Sequence, residues 1–271
     1  MALSTYQVEV LRLLAARRKA GGESYVAGGV ALNQALQASR RSRDIDLFHD
    51  TAEALIASWT ADREALRAAG YDVAVLREAP SFVEALVALN SERILIQWTR
   101  DSAYRFFPLV EDELLGLTLH PLDLATNKVL ALVGRMEPRD WMDVLECHVR
   151  LQPLGYLIWA AAGKDPGYTP DFLAEEASRH HASQAELDLL DVDGPAPDAA
   201  QLSRQWKSAV AQAREILAPL PASRLGTCVL NADGSPCVLP PAQLTDNLSS
   251  NQILFHPGRI GGAWPMLKPS P

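Results

Sequence analysis

Two aspartates one residue apart, Asp44 and Asp46, open an apolar run, DIDLF, not far beyond a glycine pair, Gly28 and Gly29. On an extended strand residues two apart face the same way, and a rise of roughly 3.3 Å per residue brings the two carboxylates within about 7 Å of each other. Ile45 and Leu47 then bury on the opposite face, which keeps the acids on the open side. Two like charges so close repel, and a Mg²⁺ ion between them relieves the repulsion. Magnesium prefers oxygen ligands and is usually held by one or two protein carboxylates together with substrate phosphates. The glycine pair supplies the other half of such a site. Without a Cβ it lets backbone N–H groups approach a ligand, and a helix beginning right after it points its positive end at an anion such as a triphosphate. Taken singly, Asp-x-Asp is often a solvated edge or turn, and Gly-Gly a plain turn. Joined by a helix-length spacer, they point to a phosphate and its metal.

Between the spacer and the acids lies RRSR. Arg40, Arg41 and Arg43 either hold outer phosphates or a polyanionic acceptor through charge-assisted bonds, or form a solvated basic loop that balances the two aspartates.

The elements that position these residues follow from periodicity. Residues 3 to 19 carry Val8, Leu11, Leu14 and Ala15 at helical spacing and stop at Gly21 and Gly22. SYVAGG predicts a short buried strand into the glycine pair, VALNQALQAS a helix and DIDLF a strand. Residues 51 to 69 read as a helix, YDVAVLR and SERILIQWTR as strands, and SFVEALVAL between them as either. LDLATNKVLALVGR and PRDWMDVLECHVRL are two further helices, the second opened by Pro138. DVDGPAPDAA (191 to 200) has the composition of a linker, QLSRQWKSAVAQAREILAPL of a helix, TCVLNADGSPCVL of a hairpin, and the last thirty residues of loop. The fold class expected is α+β: a mixed β-sheet flanked by helices over residues 1–165, then a helical and hairpin extension over 166–271.

Composition narrows the function. The chain has 271 residues, 48% hydrophobic, with 25 Lys+Arg against 33 Asp+Glu and a formal charge of −8. Diffuse charge-driven binding to nucleic acid is disfavoured, although a local basic patch can still grip phosphates. The longest apolar run, Leu154 to Gly163, falls short of the roughly 20 residues of a membrane span, and the N-terminus lacks the pattern of a signal peptide. A soluble, cytoplasmic protein without a membrane role is expected. Cys147, Cys228 and Cys237 form no C-x-x-C, so reduced thiols are expected rather than disulfides or cysteine-held zinc. His180 and His181 read as surface residues, and the six tryptophans as packing.

The run YVAGGVAL, then RRSRDIDLF, then DLATNKVLAL, then Arg135, Arg139, Asp140 and Asp143 in R-x-x-x-R-D-x-x-D, resembles nucleotidyltransferase-fold proteins of the AbiEii/AbiGii toxin family over residues 22 to 150. The resemblance implies a nucleoside triphosphate site, with Mg²⁺ on Asp44 and Asp46. It implies Gly28, Gly29 and Ser42 at the phosphates, Lys128 as a catalytic or phosphate-holding base, and Asp143 in support of Lys128. It further implies nucleotide transfer to an acceptor such as a transfer RNA, in a toxin restrained by an antitoxin protein. Arg40 joins the phosphate-binding set.

Read without the family, Lys128 and Arg135 border one face of a helix a heptad apart, where a surface lysine is the plain alternative. Asp140 suits a helix start, where acids are favoured by the macrodipole, and Arg139 is the expected partner of Asp143. One departure stands out. Many nucleotidyltransferases place a third carboxylate on a neighbouring strand, and in RILIQWTRD that position falls on Gln97, an amide that cannot take a proton. Either Asp101, Asp143 or Lys128 substitutes, or the chain is slow, or it only binds nucleotide. Transfer to a small molecule and non-catalytic nucleotide binding are therefore the competing functions.

Overall fold

The computed structural model describes residues 3–250 and 252–266. It divides into two compact units: residues 1–103, 109–120 and 191–193 in the first, and 104–108, 121–190 and 194–271 in the second. The break expected at 165 falls inside the second unit.

The first unit contains α1 (Thr5–Gly21), β1 (Ser24–Ala27), α2 (Gly28–Leu36), β2 (Asp44–His49), α3 (Ala52–Ala68), β3 (Asp72–Ala79), β4 (Phe82–Leu89) and β5 (Glu92–Arg100). After β6 (Tyr104–Arg105), which belongs to the second unit, it adds β7 (Val110–Asp112) and β8 (Gly116–Thr118). One seven-stranded sheet runs β3-β4-β5-β2-β1-β8-β7. It is mixed, as expected: β2 pairs antiparallel with β1 and parallel with β5. The ambiguous SFVEALVAL is strand β4, paired antiparallel with both β3 and β5.

Helix packing accounts for the sheet face that is buried. Ser4 and Gln7 form a capping box that starts α1, and Gly22 in the left-handed conformation ends it. On β2, Ile45, Leu47 and His49 are buried. The same face of β5 carries Ile94, Ile96 and Trp98; Trp98 stacks at 4.7 Å on Trp59 of α3 and donates its indole N–H to Asp62 at 3.0 Å. Asp44 and Asp46 alternate with these residues and are half-buried on the other face.

The second unit carries α4 (Pro121–Arg135), α5 (Pro138–Arg150), α6 (Leu154–Ala161), α7 (Pro170–Ser178), α8 (Gln184–Asp188), α9 (Ala199–Leu217), β9 (Thr227–Asn231), α10 (Pro241–Ser249), β10 (Ile253–Pro257) and β11 (Arg259–Ile260). Tyr156, Trp159, Ile216, Leu220, Val229 and Leu244 pack one of its cores. The turn expected in TCVLNADGSPCVL forms, with the Asn231 N–H donating to Ser235 O at 2.8 Å, but its second arm makes only one bridge, Leu230 to Pro236. Proline lacks the N–H a ladder needs. The strand partner of β9 is instead β10, so the last thirty residues hold a helix and strands where loop was expected. His180 is buried, not on the surface, and Trp264 is 66% exposed, unlike the other tryptophans. The three cysteines are free and buried.

Candidate active site

Gly28, Gly29, Arg40, Ser42 and Asp46 gather where β1 meets α2. Gly28 opens α2 with φ +65°, a left-handed conformation that favours glycine. A Cβ there would lie 2.0 Å from Asp46 Oδ2, so the Asp46 carboxylate occupies space that only glycine leaves. A Cβ on Gly29 would lie 2.7 Å from Arg40 Nη2 and 2.9 Å from Ser42 Oγ. The α2 N-cap, Ala27, provides no side-chain acceptor, so no side chain caps the helix start. The glycine pair thus has a carboxylate on one side and a guanidinium and hydroxyl on the other.

Two buried amides hold the loop that presents these groups. Asn33 of α2 donates to Arg40 O at 2.9 Å, and Gln7 of α1 donates to Ser42 O at 2.6 Å. The three arginines separate. Arg41 pairs with Asp193 at 3.4 Å and Arg43 with Asp191 at 4.0 Å, both on exposed ground. Residues 191–193 are therefore not free linker: the Arg41 N–H donates to Asp191 O, the Asp193 N–H donates to Ser39 O, and Arg40 bridges Val192. Arg40 alone is buried, at 6% exposure, against the glycines.

Register fixes the neighbours of the aspartates. Asp46 stands opposite Ala27 on β1 and Gln97 on β5, and Asp44 opposite Leu95. Gln97, at the position where the sequence reading expects a third acid in many nucleotidyltransferases, is the β5 residue directly opposite Asp46. Beyond it, on β4, Glu84 pairs with Gln97 in register and accepts a hydrogen bond from Gln97 Nε2 at 2.9 Å. Sequence reasoning missed Glu84 because the strand could not be assigned. The available signal was one acid between Val83 and Ala85 in an alternating apolar run. Asp101 is exposed, and its carboxylate accepts the Ser102 N–H in a turn. Among the described residues no group of three or more His, Cys, Asp or Glu is arranged around a metal. The oxygen donors on β2 suit a cation that takes its remaining ligands from phosphate and water.

Lys128 and Asp143 lie in the second unit, in a different setting. Lys128 is buried, not a surface lysine, and its Nζ lies 2.8 Å from Asp140 Oδ1 and 3.1 Å from Asp143 Oδ2. Arg135 adds two bonds to Asp140, at 2.5 and 2.9 Å, so the two cations spaced a heptad apart converge on one carboxylate. Burial pushes the Asp140 carboxyl up, but the Arg135 hydrogen bonds and the Lys128 charge outweigh it and hold it down at about 2. Asp140 is thus more than a favourable charge at a helix start. Arg139, the expected partner of Asp143, pairs with Glu137. The rest of DLATNK is also engaged: Asp123 accepts the Phe106 and Phe107 N–H groups and pairs with Lys164 at 2.7 Å, and Asn127 accepts from Lys164.

No protein-family model matches the chain, and no curated protein sequence does. Solved structures do. A candidate nucleotidyltransferase of Helicobacter pylori superposes with TM-score 0.53 at 15% identity, over 81% of this chain and 99% of its own. JHP933 from Helicobacter pylori gives 0.52 at 15%, over 80% and 95%. MenT4, a nucleotidyltransferase toxin of Mycobacterium tuberculosis, gives 0.51 at 14%, over 80% and 86%. At this identity the likeness establishes the fold, which is that of a nucleotidyltransferase, as the sequence motifs imply. No helix among the described residues is long and apolar enough to cross a membrane.

Proposed function

We propose that this nucleotidyltransferase-fold chain is a Mg²⁺-dependent enzyme that moves a nucleoside monophosphate from a nucleoside triphosphate to an acceptor. The observation that carries the reading is the gathering at one glycine pair of Asp46 on Gly28, and of Arg40 and Ser42 on Gly29. Metal donors and anion donors meet within one short segment, as a metal-bound triphosphate requires.

In this reading Asp44 and Asp46 hold the cation, and the N–H groups at the start of α2, with Arg40 and Ser42, hold the phosphates. Bound there, the metal supplies Lewis-acid stabilisation of the oxygens at the reacting phosphorus. An acceptor oxygen attacks the α-phosphorus in line and pyrophosphate leaves. Asn33 holds the backbone carbonyl of Arg40, and the Arg40 side chain is buried, so its charge is little screened by solvent. Lys128, to which the family resemblance gives a phosphate-holding role, has its ammonium group paired with Asp140 and Asp143 within the second unit.

The likeness to MenT4, a nucleotidyltransferase toxin, supports the toxin reading. RNA such as a transfer RNA as acceptor and a separate antitoxin protein as partner in the cytoplasm are what the family resemblance of the sequence motifs adds. The acidic total favours the alternative of a small-molecule acceptor. Incubation of the protein with each α-labelled nucleoside triphosphate and Mg²⁺, with and without bulk RNA, decides between them. Label in RNA supports the toxin reading, and label in a small product supports the alternative. Nucleotide binding without label transfer overturns the enzyme.

A further inference from the structure

We propose that Glu84 is a positioning residue that acts through Gln97, turning the amide so that its carbonyl oxygen, and not its nitrogen, stands beside Asp46 as a neutral third oxygen donor. The proposal rests on the reading of Asp44 and Asp46 as a cation site.

Strand register supplies the geometry. Asp46, Gln97 and Glu84 occupy paired positions on β2, β5 and β4, so their side chains rise side by side from one face of the sheet. On the same face this row is flanked on one side by Leu95 paired with Leu86 and on the other by Thr99 paired with Phe82. Glu84 is only 8% exposed, and among the described residues its carboxylate meets the Gln97 amide at 2.9 Å and Arg77 at 3.4 Å. A carboxylate buried among apolar neighbours is costly, and a stability role alone would be met as well by a leucine there.

The chemistry of an amide explains what the carboxylate does. An ionised carboxylate only accepts hydrogen bonds, so Gln97 must turn Nε2 toward Glu84. The amide is planar with its two ends apart, which leaves Oε1 on the side away from β4. Oε1 has no hydrogen-bond partner among the described residues. Carboxylate and carbonyl oxygens both suit magnesium and manganese, whereas an amide nitrogen with two hydrogens would repel the cation. Glu84 therefore converts an ambivalent side chain into one with a fixed oxygen, as outer groups orient ligands at metal sites generally. The place usually filled by a third acid is then filled by a neutral donor, with the acid moved one strand outward.

The test uses the whole chain and Mn²⁺ alone as probe, with free Mn²⁺ followed by electron paramagnetic resonance and folding by circular dichroism. Glu84→Gln nearly preserves shape but can donate as well as accept, so the Gln97 amide is free to flip. It is expected to weaken Mn²⁺ binding about tenfold, the low end for losing an outer-sphere partner. Gln97→Leu is expected to weaken it at least as much, and adding Glu84→Gln to Gln97→Leu should change nothing further. Unchanged binding in Glu84→Gln overturns the proposal, as does a further loss in the double variant. A wild type that binds no Mn²⁺, or an Asp46→Ala variant that binds it normally, defeats the cation site itself and this proposal with it.

Discussion

Asp44 and Asp46 in the first unit and Asp140 and Asp143 in the second are both close pairs of carboxylates, yet they meet opposite surroundings. The first pair lies at strand spacing, half-buried beside a glycine whose missing Cβ makes room for Asp46. The second lies at helix spacing, fully buried, with Lys128 and Arg135 supplying the opposite charge. Two acids and two cations in a closed cluster neutralise one another. The difference separates a half-buried pair beside a glycine gap from a buried pair held by lysine and arginine. It also assigns the motifs different duties, with RRSRDIDLF at the candidate phosphate site and DLATNK with R-D-x-x-D forming the internal ion cluster.

That contrast can be broken by crossing substitutions. Asp46→Ala should reduce nucleotide transfer by on the order of a thousandfold, since metal stabilisation of the reacting oxygens is worth several kcal/mol. Its stability should stay near that of the wild type, as measured by urea unfolding. A variant that keeps its activity removes the first half of the contrast. Lys128→Met should do the reverse first: it removes the ammonium that pairs with both Asp140 and Asp143 inside a buried cluster, costing roughly 3–5 kcal/mol in the same unfolding assay. A loss below about 1 kcal/mol would show that the second pair is not held by its lysine.

Acid titration sharpens the comparison further. Asp140 has a folded-state value of about 2, below its ordinary 3.8. The unfolded chain therefore binds this proton more readily, and stability rises with pH across that interval. The contribution is fully present above about pH 4 and is lost as pH falls through about 2, for a total of roughly 2 kcal/mol. Stability measured against pH in the wild type and in Asp140→Asn should show this acid-sensitive part only in the wild type. The smallest effect is expected at Arg139→Ala. It removes a half-exposed pair with Glu137 and should cost less than about 1 kcal/mol in thermal unfolding.

Local features were legible because their signals are local. The period-two alternation in DIDLF predicts which side of β2 carries the acids, and α1, α4 and α5 follow from helical spacing and from Gly22 and Pro138. Pairing across long separations was not legible. β10 completes β9 from a stretch with loop-like composition, and residues 191–193 look like linker until their backbone bonds to Ser39 and Arg41 are seen. Ion-pair choice failed for a similar reason. Arg139 is near Asp143 in sequence, but it turns back to Glu137, the N-cap of α5, while Lys128 reaches Asp143 from another helix. Glu84 was hidden because its meaning depends on which strand lies next to β5.

The most direct measurement is a crystal structure of the protein with Mn²⁺ and a non-hydrolysable nucleoside triphosphate, with the metal located by its anomalous scattering. The account predicts a metal peak bridged by the Asp44 and Asp46 carboxylates, with triphosphate oxygens at the start of α2 beside Arg40 and Ser42. Metal and triphosphate bound elsewhere, with both carboxylates uncoordinated, would contradict it.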